Sequence, residues 1–130
     1  MRLGFEIKLQ VFSGLSQFIL VARESSRAKM NGLRERVFAA WRSGKAPSPA
    51  TEALGISILR LAKGRSVMEM NVSEKFHNLS GTMHGGIMSD IADAAMGIAL
   101  ATTLSPGEDF TTIEFKMSFL RPPYQRCPPC

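Results

Sequence analysis

The 130-residue sequence has no apolar run of the roughly 18 residues that a membrane-spanning helix needs. It also contains no Gly-x-Ser-x-Gly motif, no glycine-rich phosphate loop and no histidine–cysteine cluster with metal-ligand spacing. Aromatic residues make up 8% of the chain and do not alternate with basic residues, so the pattern predicts no platform for stacking nucleic-acid bases. These absences argue against a membrane span, a metal centre and a nucleic-acid partner.

Only two cysteines are present, Cys127 and Cys130, and both lie in the proline-containing tail at 123–130. Their Cys-x-x-Cys spacing is compatible with a redox pair or half of a zinc site, but no second ligand pair accompanies it, and an irregular tail is the simpler interpretation. Two cysteines placed in this way do not make the disulfide framework of a small secreted protein. We therefore expect a reducing compartment, the cytoplasm, with the mitochondrion as the alternative.

The length allows one domain with a real hydrophobic core. We expect an N-terminal extension of unclear role over residues 1–25, the folded domain over 26–122, and a Pro/Cys tail over 123–130. The extension has some features of a targeting segment, but an extra docked or poorly ordered segment is the competing interpretation. The net charge of +5 suits either a polyanionic ligand or an ordinary solvated basic surface.

Hydrophobic periodicity predicts a mixed α+β domain. An amphipathic helix is expected over 26–42, with Gly44 as its stop, and a loop rich in Ser, Gly and Pro follows. Two strand-like runs, 54–61 and 66–72, are joined by a short glycine-containing connection that suits a hairpin. The clearest strand pattern covers 110–120. Strands on both sides of one long apolar helix indicate an antiparallel sheet packed on a central helix.

That central helix is predicted over 84–104. It carries no charge after Asp93 until Glu108, and a helix that is apolar on nearly every side must be buried. No cation lies one turn away from Asp93, and burying an unpaired carboxylate is costly. Asp93 is therefore a candidate general base or nucleophile, or else a carboxylate bonded to backbone or to a polar group across an interface. Asp90, in the first turn, is explained by the helix dipole alone.

The start of this helix combines His84 with the glycine pair Gly85 and Gly86. Glycines let the backbone approach a ligand closely, and the unpaired N–H groups of a helix N-terminus can stabilise a developing oxyanion. A tight turn that needs glycine only for its backbone angles is an equally good interpretation. The polar loop ahead of the helix offers further positioning groups, which are individually more typical of turn and capping residues: His77, Asn78, Ser80 and Thr82.

Helix geometry limits how these groups can cooperate. Gly85 and Asp93 are eight positions apart, which is about 12 Å along a helix. A carboxylate that attacks a carbonyl must come within roughly 3–3.5 Å of the reacting atoms. If both residues are catalytic, two copies related by a two-fold axis must share each site, with Gly85 from one and Asp93 from the other.

The stretch Asn78-Leu-Ser-Gly-Thr-Met-His84-Gly85-Gly86, with Asp93 after it, resembles the hotdog thioesterases of the phenylacetic-acid-degradation type, within the 4-hydroxybenzoyl-CoA thioesterase superfamily. The resemblance covers about 55–122 and includes Thr-Ile-Glu-Phe-Lys-Met-Ser-Phe-Leu-Arg-Pro after the helix. It implies a hotdog fold, in which an antiparallel sheet wraps around one central helix. It also implies acyl-CoA as substrate, water as co-substrate, and no metal or other cofactor.

The resemblance implies roles for the matching residues. Gly85 would donate its N–H to the thioester carbonyl, and Asp93 would act as the nucleophile or as the base that activates water. Asn78 would orient substrate or water. Thr112 would position the attacking water next to the partner's Asp.

Substrate contacts and assembly follow from the same resemblance. His84 and Gly86 would support the thioester end of the substrate, and family members assemble as homodimers or homotetramers with sites at subunit interfaces. Five basic residues are candidates for contacts to the CoA phosphates: Arg60, Lys63, Arg65, Lys116 and Arg121.

The sequence departs from the family after residue 122. Members continue through two or three more strands, whereas this chain ends Pro-Tyr-Gln-Arg-Cys-Pro-Pro-Cys, so the resemblance implies an incomplete hotdog domain with exposed apolar surface and bare strand edges. An acyl-CoA hydrolase is therefore one hypothesis. A truncated, non-catalytic form that binds acyl-CoA or co-assembles with complete subunits is the alternative. A hotdog dehydratase is a third and weaker hypothesis, because such an enzyme would need a His/Glu pair in its site and no Glu lies on the central helix.

Overall fold

The computed structural model describes residues 2–8, 18–20 and 32–120. The helices are α1 (Leu33–Ser43), α2 (Pro49–Leu54) and α3 (Gly85–Ala101), with a 3-10 turn at Glu74–Phe76. The strands are β1 (Arg2–Lys8), β2 (Phe18–Leu20), β3 (Ile56–Ala62), β4 (Arg65–Asn71) and β5 (Phe110–Thr112).

Antiparallel pairing builds one sheet in the order β1-β4-β3 and a second pair of β2 with β5. The hairpin expected between the two central strands is confirmed, since only Lys63 and Gly64 separate β3 from β4. Gly64 has a φ of 69°, the left-handed conformation that such tight turns require. The pairing register shifts between Ile58 and Arg60, a bulge at the exposed residue Leu59.

The main core lies between this sheet and α3. Met68, Met70 and Val72 are each no more than 6% exposed and form one face, as their alternation predicts. They pack against the fully buried Ile91 and Ala95 of α3. The predicted architecture, an antiparallel sheet packed on a central helix, is confirmed.

The first helix packs at the other end of α3. Val37 of α1 is buried together with Leu61 and Ala101 in a second, smaller cluster. Gly44 ends α1 in the left-handed conformation, as expected. The helix begins at Leu33, whereas the sequence pattern placed its start at Ser26, and residues 26–31 lie outside the described residues.

A short helix, α2, occupies a place where the sequence pattern predicted the end of a loop and the start of a strand. That prediction was wrong. Ser48 and Thr51 form a reciprocal capping box, and Pro49 stands at the first helical position, where its fixed φ favours a helix. Gly55, with a φ of 68°, ends the helix, so β3 begins only at Ile56.

The strand predicted over 110–120 is also too long. Only Phe110–Thr112 pairs with another strand, β2, and none of the described residues pairs with 113–120. Alternation of apolar and polar residues favours an extended chain, but a strand exists only where a neighbouring strand receives its hydrogen bonds. Phe115 and Met117 are half-buried, whereas Ile113 and Phe119 remain about half exposed, at 52% and 53%.

A buried hydroxyl, that of Thr102, links the turn of the hairpin to the C-terminal end of α3. Thr102 is fully buried; its Oγ1 accepts a hydrogen bond from the Gly64 N–H at 2.7 Å and donates to the Ala99 carbonyl at 2.6 Å. Thr103, the next residue, is exposed, and its hydroxyl donates only to the Leu100 carbonyl one turn back.

Replacing Thr102 with Val should lower the free energy of unfolding by about 1–3 kcal/mol, because the Gly64 N–H loses its acceptor while the side-chain shape is kept. Urea denaturation followed by circular dichroism measures this change. The matched variant Thr103→Val should change stability by less than about 0.5 kcal/mol. Equal effects of the two variants would contradict the assigned role of Thr102.

Candidate active site at the start and third turn of the central helix

The N-terminus of α3 is organised by His84. Its side chain caps the helix, since Nδ1 accepts the Gly86 N–H at 3.0 Å, and its own N–H donates to the Phe76 carbonyl at 2.8 Å. A bridge between His77 and Met83 closes the preceding loop at its base. His84 and Gly86 therefore lie together, and the Gly86 N–H already has a partner within the chain.

Gly85 is the first residue of α3, and no acceptor for its N–H is found within residues 32–120. The ring of Phe119 lies against it, because a Cβ added at Gly85 would meet Phe119 Cζ at 3.3 Å. A larger residue at position 85 would thus displace that ring. The Gly85 N–H is therefore a backbone donor at a helix N-terminus, the kind of group that stabilises an oxyanion.

Asn78 holds the loop ahead of the helix. Its Oδ1 accepts the N–H groups of Ser80 at 2.9 Å and Thr82 at 3.2 Å, and its Nδ2 donates to Thr82 Oγ1 at 2.9 Å. The Asn78 N–H donates to the Thr82 carbonyl at 2.8 Å. In this conformation the side-chain amide is engaged in forming the turn, which is the ordinary function of asparagine in such loops.

Asp93 lies in the third turn of α3 and is half-buried. Thr112, at the end of β5, donates its hydroxyl to Asp93 Oδ1 at 2.8 Å. The polar partner that a carboxylate on an apolar helix needs is thus supplied from a strand nineteen residues further along the chain. The resemblance implied that Thr112 stands next to the partner's Asp, and the contact in the structure is to Asp93 of the same chain.

Asp93 opens onto a cleft of about 480 Å³ between α2 and α3. Small and apolar side chains line most of it, together with the hydroxyls of the capping box and the two carboxylates of α3: Ser48, Ala50, Thr51, Ala53, Leu54, Ile56, Asp90, Asp93 and Ala94. The sequence prediction missed this cleft because it missed α2. Ser48-Pro49 with Thr51 three residues after the serine was the available signal, since this spacing is typical of a capped helix start.

The structure brings the predicted residues together in two groups. Asn78, His84, Gly85 and Gly86 lie at the start of α3, and Asp93 with Thr112 lies at its third turn. Within residues 32–120 no hydrogen bond joins the two groups. The helical position of Gly85 and Asp93 keeps them about 12 Å apart along the axis.

In the described part of the chain, no group of three or more His, Cys, Asp or Glu side chains is placed to hold a metal ion. Nor does any helix in the described ranges combine the length and apolar character needed to cross a membrane. Cys127 and Cys130 lie outside the described residues.

Comparison with known families identifies the segment that contains this site. Residues 80–129 match the model of the thioesterase superfamily. The matched range contains the His84–Gly86 turn, Asp93 and Thr112, and it begins just after Asn78. The hotdog fold that similarity to this family implies agrees with the sheet-on-helix arrangement.

Curated relatives come from bacteria and archaea. A protein of Saccharolobus solfataricus, provisionally named an esterase, is 38% identical over 72 residues, which cover 55% of this chain and 51% of the relative. The 1,4-dihydroxy-2-naphthoyl-CoA hydrolase of Listeria monocytogenes is 33% identical over 69 residues, covering 53% and 56%. A provisionally named esterase of Pseudomonas aeruginosa is 33% identical over 73 residues, covering 55% and 54%.

The chain spans about half the length of the curated relatives it matches. No solved structure matches the chain significantly.

The loop role of Asn78 can be tested separately from catalysis. Asn78→Ala should speed hydrogen exchange of the Ser80 and Thr82 amides by about tenfold or more, because both lose their side-chain acceptor. Exchange followed by NMR or mass spectrometry measures this. Ser80→Ala is the control: its side chain is exposed and only its backbone takes part, so exchange should stay unchanged. Unaltered exchange in Asn78→Ala would refute the structural role.

Proposed function

We propose that this protein is an acyl-CoA thioester hydrolase of the phenylacetic-acid-degradation type, which converts acyl-CoA and water to a free acid and CoA. The observation that carries the proposal is a half-buried carboxylate, Asp93, oriented by the hydroxyl of Thr112 beside a cleft with small apolar walls. The similarity of residues 80–129 to the thioesterase superfamily supports a thioester substrate. The name of the Listeria relative, a CoA hydrolase, supports CoA as the leaving group.

In the proposed reaction, Asp93 acts as a general base. Thr112 holds Oδ1, which leaves Oδ2 to accept a proton from water that attacks the thioester carbonyl. The carbon–sulfur bond breaks as the tetrahedral intermediate collapses, and the leaving CoA thiolate takes the proton from Asp93, which restores the carboxylate. The acyl group occupies the cleft between α2 and α3, where alanine side chains leave room for it.

The oxyanion of that intermediate needs a donor that the same chain cannot bring to Asp93. We propose that Gly85 of a second copy supplies its free N–H, so that each site is shared across a two-fold interface. His84 supports this donor by capping the helix, and Asn78 supports it by fixing the preceding loop. Homodimeric or homotetrameric assembly and a cytoplasmic location remain predictions.

Asp93→Asn should lower thiol release from acyl-CoA at least about 100-fold, because the amide cannot take the proton from water. A thiol-reactive dye measures hydrolysis, and calorimetry with the same acyl-CoA should show binding largely intact. Asp109→Asn, at an exposed position outside the cleft, should keep the wild-type rate. Hydrolysis by Asp93→Asn at the wild-type rate would remove Asp93 from the mechanism. A wild-type protein that binds acyl-CoA but releases no thiol would favour the non-catalytic alternative.

Sharing of the site can be tested by mixing two inactive variants. Gly85→Pro removes the proposed donor. The backbone tolerates proline at the first position of a helix when the residue before it is extended, as His84 is, and the exposed Phe119 ring must move aside. Refolding Gly85→Pro together with Asp93→Asn should restore about a quarter of wild-type activity, because random pairing leaves one intact site in half of the dimers. Each variant refolded alone is the control. A mixture no more active than its separate parts would show that the site is not shared.

A further inference from the structure

The cleft between α2 and α3 contains a second carboxylate, Asp90, which the proposed reaction does not use. Asp90 and Asp93 are three positions apart on α3, so their side chains lie on the same face of the helix, with Cβ atoms about 5–6 Å apart. Thr112 donates a hydrogen bond to Asp93, whereas Asp90 is exposed and has neither a hydrogen bond nor an ion pair within residues 32–120. The carboxylate of Asp90 is thus available to whatever enters the cleft.

The helix dipole does not account for Asp90, contrary to the expectation from the sequence. The helix begins at Gly85, its first turn holds no acidic residue, and Asp90 is its sixth residue. The stabilisation of an anion by a helix N-terminus falls off within the first turn. Neither the dipole nor a partner among the described residues therefore explains a carboxylate at this position of the cleft wall.

The charged side chains that line the cleft are all negative. They are Asp90 and Asp93, and none of the described residues in the lining is basic. The hydroxyls of Ser48 and Thr51 are engaged with each other and with the backbone in the capping box. Apolar side chains make up the rest of the lining: Ala50, Ala53, Leu54, Ile56 and Ala94. An uncharged acyl chain can be buried here, whereas a negatively charged one is repelled and finds no cation to replace its water.

We propose that Asp90 determines acyl specificity: it excludes acyl groups that end in a carboxylate and so restricts the cleft to uncharged acyl groups. The proposal rests on the proposed function, in which the acyl group lies in this cleft. With the thioester carbonyl beside Asp93, a carboxylate at the end of a short acyl chain comes within reach of Asp90 one helical turn away. Like charges at such a distance repel, most strongly where water is partly excluded.

Pentanoyl-CoA and glutaryl-CoA test the proposal, because their acyl chains are equal in length and differ by one terminal carboxylate. The wild-type protein should hydrolyse pentanoyl-CoA with a kcat/KM at least about tenfold higher than that for glutaryl-CoA. Asp90→Asn should reduce the ratio of the two values about tenfold, and Asp90→Lys should reduce it further, because attraction replaces repulsion. Since the ratio is taken within one variant, a loss of folded protein cancels from it.

Glu52 provides the matched control. It is an exposed carboxylate on α2 that does not line the cleft, so Glu52→Gln removes an equal charge and should leave the ratio within about twofold. Equal hydrolysis of the two thioesters by the wild-type protein would overturn the proposal. So would a ratio that Asp90→Asn and Glu52→Gln change to the same extent.

Added salt gives a readout that a merely structural role for Asp90 would not produce. Salt screens the repulsion between Asp90 and the substrate carboxylate, so the wild-type preference for pentanoyl-CoA should narrow as sodium chloride is added. The ratio in Asp90→Asn should respond less. The same salt dependence in both proteins would contradict an electrostatic role.

Binding experiments separate this proposal from the hydrolase function. S-pentyl-CoA and S-(4-carboxybutyl)-CoA are thioethers, which cannot be hydrolysed, and calorimetry measures their Kd. The wild-type protein should bind the uncharged thioether at least about tenfold more tightly, and the difference should shrink in Asp90→Asn. If it does so although thioesters release no thiol, the specificity of the cleft stands and the hydrolase function fails. If thiol is released without any preference that depends on Asp90, the hydrolase function stands and this proposal fails.

Discussion

The rigidity of one helix is the constraint on which the proposed chemistry depends. An α-helix rises 1.5 Å per residue, so Gly85 and Asp93, both within α3, keep a fixed separation whatever the surrounding chain does. The same helix provides a backbone donor at its N-terminus and a carboxylate in its third turn. A helix cannot bring both to one thioester, and a two-fold axis between copies is the simplest geometry that does.

The hydrogen bond between Thr112 and Asp93 depends on how closely β5 approaches α3. Gly97 lies one turn beyond Asp93, and a Cβ there would meet Phe110 Cζ at 3.0 Å. The absence of a side chain at Gly97 therefore lets the Phe110 ring lie against the helix. Because Phe110 and Thr112 belong to the same short strand, this contact helps to bring the Thr112 hydroxyl within reach of the Asp93 carboxylate. The Phe110 ring against Gly97 and the Thr112 hydrogen bond to Asp93 thus both hold β5 against α3.

Sequence patterns predicted the parts of the fold that depend on burial. The apolar length of α3 and the alternation of Met68, Met70 and Val72 follow directly from which faces avoid water, and the structure confirms both. Sequence patterns failed where the secondary structure depends on a neighbouring strand or on a helix cap. Alternation over 113–120 could not show whether a neighbouring strand exists, and α2 depends on a Ser48 cap rather than on periodicity.

The residues of the candidate site likewise fall into those that the sequence can predict and those that only tertiary packing reveals. An isolated carboxylate in an apolar helix is visible in the sequence because its cost is local, whereas its partner Thr112 depends on tertiary packing. Asp90 is visible in the sequence too, yet its place on the wall of a cleft depends on α2, which supplies the other wall and follows from a helix cap rather than from periodicity. A charge can therefore be read from the sequence, whereas the ligand that would meet that charge is set by how the elements pack.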